Sequence, residues 1–148
     1  VGELARPSRV EAVDRLGAEL SAPQPTGPGA SRDHVEVTAR LVGGGGAIEV
    51  RLAIDPGFHI NANPASAEYL VPTRVTAVDG EIGPIEYPAG KPFRAAFATE
   101  SIDVYEGELV LRAPLTGGVP ERLRIEIQAC NDEVCLAPDA VEVAVAGR

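Results

Sequence analysis

Two cysteines, Cys130 and Cys135, bracket the segment Cys130-Asn131-Asp132-Glu133-Val134-Cys135 and supply all the sulfur in the chain, which has no Met. Three chemistries are open to a pair at this spacing. A structural disulfide is one, but loop-closure entropy rewards cross-links between distant segments, and this ring would enclose only Asn131 to Val134. A zinc site is another; zinc normally takes four ligands, and the remaining candidates, His34 and His59, stand at no characteristic offset from the pair. The third is a redox pair cycling between dithiol and disulfide, since closely spaced cysteines in an exposed turn exchange readily. Asp132 and Glu133 lie between the sulfurs, and their charge disfavours a thiolate. The pair is therefore better suited to being attacked by a partner's thiolate than to attacking first.

The elements that must hold these sulfurs are read from hydrophobic period. Val35, Val37, Ala39 and Leu41 alternate with polar residues, as do Ile48, Val50, Leu52 and Ile54. The two runs flank Gly43-Gly44-Gly45-Gly46, which predicts a hairpin with a glycine tip. That tip lacks the lysine and following helix of a phosphate loop. Further strands are expected at Arg74–Val78, Phe93–Thr99, Glu108–Ala113, Leu123–Ala129 and Ala140–Ala146, separated by Gly and Pro turns. The cysteines thus fall at the end of a strand and in the turn after it. Seven or eight short strands predict an all-β, antiparallel sandwich with Val35, Val37, Ile48, Val50, Leu52, Leu109, Leu111, Leu123, Ile125 and Ile127 facing inward.

The first 20 residues differ. Ser8-Arg9-Val10-Glu11 is a capping box, and Val10, Val13, Leu16 and Leu20 share one face of a short helix. This segment is either the tail of a preceding domain or a helix docked on the sandwich flank. Residues 21–32, rich in Pro and Gly, read as a linker, and residues 33–148 as the sandwich domain.

Composition narrows the function classes. The net charge of −9, with 13 scattered Lys and Arg, excludes the clustered positive surface that nucleic acid requires, and gives an anionic membrane nothing to attract. No apolar stretch approaches the roughly 20 residues that cross a bilayer, so this segment inserts in no membrane. Val1 in place of an initiator Met implies a processed chain or a fragment. Neither a Ser-His-Asp arrangement nor a paired-carboxylate site is supported by spacing. His59 reads first as a histidine hydrogen-bonded within the sandwich, with a tuning role toward a cysteine as the alternative. Asn61 and Asn63 read as turn-holding residues. Tyr69, Tyr87 and Tyr105 read as core-edge residues, Tyr105 with a place near the cysteines as its alternative.

Four segments in order carry a resemblance: Asp55-Pro56-Gly57-Phe58-His59-Ile60-Asn61-Ala62-Asn63-Pro64, Tyr87-Pro88-Ala89-Gly90-Lys91-Pro92-Phe93, Val104-Tyr105-Glu106-Gly107, and Gln128-Ala129-Cys130-Asn131-Asp132-Glu133-Val134-Cys135-Leu136-Ala137-Pro138. Together they resemble the N-terminal periplasmic domain of the bacterial thiol:disulfide interchange protein DsbD and related DsbD-like domains, over about residues 33–145. The resemblance implies an immunoglobulin-like β-sandwich, a periplasmic or otherwise extracytoplasmic location, and no organic cofactor or metal. It implies that Cys130 and Cys135 pass reducing equivalents to or from thioredoxin-like proteins or domains, with a membrane-embedded electron donor in the same or another chain. Cys135 matches the sulfur that joins the partner in a mixed disulfide, and Cys130 the one that resolves it. Phe97 and Glu100 are candidates for a cap over the cysteines, and Tyr105, Asp132 and Glu133 for tuning residues. The competing reading, from a different class, is an immunoglobulin-like interaction or docking module whose disulfide is inert.

Overall fold

The computed structural model describes residues 30–94 and 100–148. The helix expected in the first 20 residues lies outside them, as does Phe97. Ten strands follow a single turn of 3-10 helix at Ser31–His34: β1 Val35–Val42, β2 Ala47–Ile54, β3 His59–Asn61, β4 Arg74–Ala77, β5 Lys91–Phe93, β6 Ile102–Tyr105, β7 Glu108–Pro114, β8 Arg122–Ile127, β9 Ala129–Cys130 and β10 Asp139–Ala146. They form two sheets, one of six strands in the order β4-β8-β10-β1-β2-β7 and one of four in the order β5-β6-β3-β9.

The β1–β2 hairpin is the one the alternating pattern demands. Its register runs from Val35 opposite Ile54 to Val42 opposite Ala47. At its tip Gly43, Gly44 and Gly45 take φ of 63°, 68° and 92°, a region that side chains resist. The sandwich departs from the all-antiparallel expectation in one place: β1 and β10 pair in parallel, through Ala39 opposite Val145 and Arg40 opposite Ala146.

Alternation places Ile48, Val50, Leu52, Leu111, Leu123, Ile125 and Ile127 in a common core, each at most 2% exposed. Val35 and Leu109 join them, and Val37 packs against that core while partly exposed. Each fully buried side chain of this size contributes about 1.5–3 kcal/mol. A second, smaller cluster of Leu70, Ile102 and Val104, with Ala65, Ala67 and Phe93 against it, covers the other face of the four-stranded sheet. Within that sheet β3 is therefore buried on both sides.

The run expected as one strand over Leu123–Ala129 is two. The chain leaves the six-stranded sheet after Ile127 and joins the four-stranded one at Ala129, with Gln128 at the crossing. The strand expected at Phe93–Thr99 is observed as Lys91–Phe93; Arg94 is outside it, and residues 95–99 are not among those described. Tight packing fixes the neighbouring connection: a Cβ on Gly90 would lie 2.7 Å from the Ala62 Cβ and 2.9 Å from the Val104 amide nitrogen. Among the described residues no helix is long and apolar enough to cross a membrane.

Candidate functional site

Cys130 is the last residue of β9, directly opposite His59 on β3. The next four residues make a tight turn built by Asn131. Its amide donates to the Val134 carbonyl at 2.9 Å, and its side-chain Oδ1 accepts from the Glu133 and Val134 amides at 2.8 and 2.9 Å. An Asn side chain satisfying successive amides in this way stabilises a reversal without outside help. The turn returns Cys135 to face Cys130, and the two are joined in a disulfide with Cα atoms 3.9 Å apart.

One backbone bond and three side chains fasten the base of this loop. The Leu136 amide donates to the Ala129 carbonyl at 2.8 Å, closing the hairpin just behind the disulfide. Gln128 reaches both ways: its Oε1 accepts from the Asn61 side chain at 3.1 Å and the Val71 amide at 3.0 Å, and its Nε2 donates to the Leu136 carbonyl at 3.2 Å. Ser31, fully buried, donates from Oγ to the Ala137 carbonyl at 2.6 Å and accepts from the Ala129 amide at 3.0 Å. Arg32 adds an ion pair to Asp139 at 2.8 Å, at the start of β10. The sequence reading begins the sandwich at residue 33; these contacts tie Ser31 and Arg32 to it as well. Burial alone would raise the Asp139 carboxyl, but the hydrogen bonds and charge of Arg32 outweigh it and hold that carboxyl below its ordinary value.

The two sulfurs are unequal. Cys130 is fully buried, whereas Cys135 is half-buried at the edge of the loop. Asp132, Glu133 and Val134 are exposed around it. Of the two cysteines, Cys135 is therefore the one more open to solvent.

His59 is nearly as buried as Cys130, at 3% exposed, and its ring packs on Phe93 with centroids 4.3 Å apart. Burial pushes the imidazole below its ordinary pKa, against the opposing pull of the Glu106 and Asp132 carboxylates. The sequence expectation of a hydrogen-bonded histidine is not met at Nε2, which has no partner among the described residues. Asn61 does not hold a local turn. It sits fully buried in β3 and bonds to the Val71 carbonyl and Gln128, fastening the segment that covers the outer face.

The match to known proteins falls on this framework. The family model for the N-terminal part of the thiol:disulfide interchange protein DsbD matches residues 30–147. The chain belongs to the DsbD N-terminal domain family. It is thus a thiol:disulfide interchange domain by family, with the disulfide-bonded pair that such chemistry needs.

Solved structures agree on the fold. The reduced N-terminal domain of Neisseria meningitidis DsbD superposes with a TM-score of 0.57 at 18% identity, over 79% of this chain and 88% of that one. The N-terminal periplasmic domain of ScsB from Proteus mirabilis gives a TM-score of 0.51 at 18% identity, covering 76% of this chain and 47% of that one. Searched against curated proteins, the sequence finds no match.

The remaining candidates scatter. Tyr105 is 5% exposed and lies opposite Ile60, so it faces the main core while Cys130 and His59 face the other side of the sheet. Its hydroxyl donates to the Pro88 carbonyl at 2.8 Å and accepts from the Asn63 amide at 3.2 Å, a core-edge role. Glu100 is exposed just before β6. Ser31 and Gln128, which no sequence pattern marks as site residues, hold the loop most directly.

Proposed function

We propose that this domain carries electrons between thioredoxin-fold proteins of the bacterial periplasm through the Cys130–Cys135 pair, with Cys135 as the sulfur that joins the partner and Cys130 as the one that resolves the complex. The observation that carries the reading is the unequal burial of the two sulfurs: Cys130 is at 0% exposure, and Cys135 is accessible at the edge of a surface loop. A partner thiolate attacks Cys135, the S–S bond opens, and a mixed disulfide forms. In the reverse direction the Cys130 thiol attacks Cys135, the ring closes, and the partner departs with the electron pair on its own sulfur. The exposed Asp132 and Glu133 disfavour spontaneous thiolate formation in the free dithiol and limit exchange to bound partners.

The connection from β5 to β6 carries Phe97 and Glu100. It leaves the sheet at Phe93, whose ring packs on His59 opposite Cys130, and returns at Ile102. By resemblance, Phe97 and Glu100 remain the candidates for a cap over the pair. Electrons would reach the pair from a membrane-embedded or thioredoxin-like donor.

Trapping tests the roles. Cys130→Ser mixed with an oxidised thioredoxin-fold protein should give a covalent complex through Cys135 on a non-reducing gel, and Cys135→Ser should give little or none. Equal trapping by both variants would refute the assigned order. Trapping by neither would favour an inert disulfide.

A further inference from the structure

Two buried side-chain atoms have no hydrogen-bond partner among the described residues: Nε2 of His59 and Oδ1 of Asn61. Both belong to β3, two residues apart, so they share one face of the four-stranded sheet. Cys130 stands on that same face, because it is directly opposed to His59 in the antiparallel register. Opposed residues hold their Cβ atoms about 4.5–5.5 Å apart, within reach of an imidazole. A buried polar nitrogen is normally paired, so an unpaired one on the residue opposed to a cysteine of the pair asks for a reason. In the disulfide form Cys130 has no S–H to offer. Reduction creates one on the face where the unpaired nitrogen lies.

Cys130 also needs such a neighbour. It is fully buried, and burial disfavours a bare thiolate. Resolution of a mixed disulfide requires this sulfur to lose its proton as it attacks. We propose that His59 is the proton acceptor for the Cys130 thiol in the ring-closing step and, in reverse, the donor to Cys130 as the ring opens. The inference rests on exchange at the Cys130–Cys135 pair.

The step balances without further reagents. The partner's S–S bond to Cys135 breaks, the Cys130–Cys135 bond forms, the electron pair leaves on the partner's sulfur, and the Cys130 proton passes to His59. The proton then returns to the partner's thiolate or to water. Burial keeps the imidazole neutral and able to accept. The charged groups acting on it are Glu106 just after β6, which Lys91 of β5 neutralises at 2.6 Å, and Asp132 of the cysteine loop. The Phe93 ring of β5 lies against the imidazole, with centroids 4.3 Å apart and the planes tilted by 47°.

The test is a rapid-mixing reaction of the reduced domain with 4,4′-dithiodipyridine, an uncharged disulfide that releases one chromophore on attack by Cys135 and a second on ring closure by Cys130. The wild-type second phase should hold a plateau above the imidazole pKa and fall below it. In His59→Phe and His59→Gln it should be about 10-fold or more slower at neutral pH. It should then climb about tenfold per pH unit, as expected when only the thiolate reacts. Wild-type rates and pH profile in folded variants would overturn the proposal. A second measurement covers variants that fail to fold: the His59 imidazole of the wild type, followed by NMR, should titrate differently in the dithiol and disulfide forms. Identical titration would also overturn it. Failure of the exchange function shows separately, as no trapping by either cysteine variant on the gel while the small-molecule ring closure keeps its dependence on His59.

Discussion

Replacing Ser31 with Ala removes one hydroxyl that joins two points on either side of the cysteine loop. Oγ accepts from the Ala129 amide at 3.0 Å and donates to the Ala137 carbonyl at 2.6 Å. The two losses are unequal. Ala137 is exposed, so its carbonyl can turn to water, but Ala129 is fully buried and its N–H has nowhere to go. An unsatisfied buried donor costs about 1–3 kcal/mol, so the variant should lose about 2 kcal/mol. In urea, with a slope of about 1–3 kcal/mol per molar for a domain of this size, the midpoint should fall by about 1 M with the slope unchanged. Amide hydrogen exchange locates the damage: the Ala129 and Leu136 amides should exchange faster, while those of the β1–β2 hairpin should not. A loss below about 0.5 kcal/mol, within the range of ordinary surface substitutions, with Ala129 still protected would refute the clasp.

Three further outcomes follow from the same contacts. Gly90→Ala should destabilise the domain by about 1–3 kcal/mol in denaturant titration, because its Cβ would collide with Ala62, Asp103 and the Val104 backbone. Gln128→Leu should cost at least as much and loosen the Val71 amide in hydrogen exchange, since it strands the Val71 N–H and the Leu136 carbonyl together. Stability should fall with acid in two stages. His59 is held below its ordinary pKa of 6.5, so the unfolded chain binds the proton first and stability drops as pH falls below that value. Glu49, bonded by Arg40 and Arg51, with Asp79 and Asp139, is held below the ordinary carboxylate values of 4.5 and 3.8, and their contribution is lost at lower pH still. Denaturant titrations across pH check this, and His59→Phe should remove the upper stage alone.

The strands that were legible are those with one buried face. Leu109, Leu111 and Ala113 of β7 alternate with exposed neighbours, and the period shows it. β3 was not legible because His59, Ile60 and Asn61 are all buried: the main core lies on one side, and the Leu70 cluster on the other. With both faces covered there is no alternation to read, and two of its three residues are polar. The break in the run ending at Ala129 was hidden for a related reason. Gln128 continues the strand in sequence while its backbone passes from one sheet to the other.

The cysteine pair and the turn between its members were visible from spacing and from their place after an alternating run, because the contacts that build them are local. Which sulfur is buried was not visible, since that depends on β9 pairing with β3, some seventy positions away in the chain. Ser31 gave no signal at all. Its partners lie 98 and 106 residues further on, and a serine beside a Pro- and Gly-rich stretch looks like any linker residue.

The central claim is that the Cys130–Cys135 disulfide exchanges rather than merely staples, and its reduction potential tests this most directly. Equilibration of the purified domain with glutathione or dithiothreitol mixtures, read by thiol alkylation and mass, should place the pair above about −300 mV, where thioredoxin-fold proteins can reduce it and be reduced by it. A potential well below about −300 mV, with no reduction by any thioredoxin-fold protein, would be that of an inert structural bond and would contradict the account.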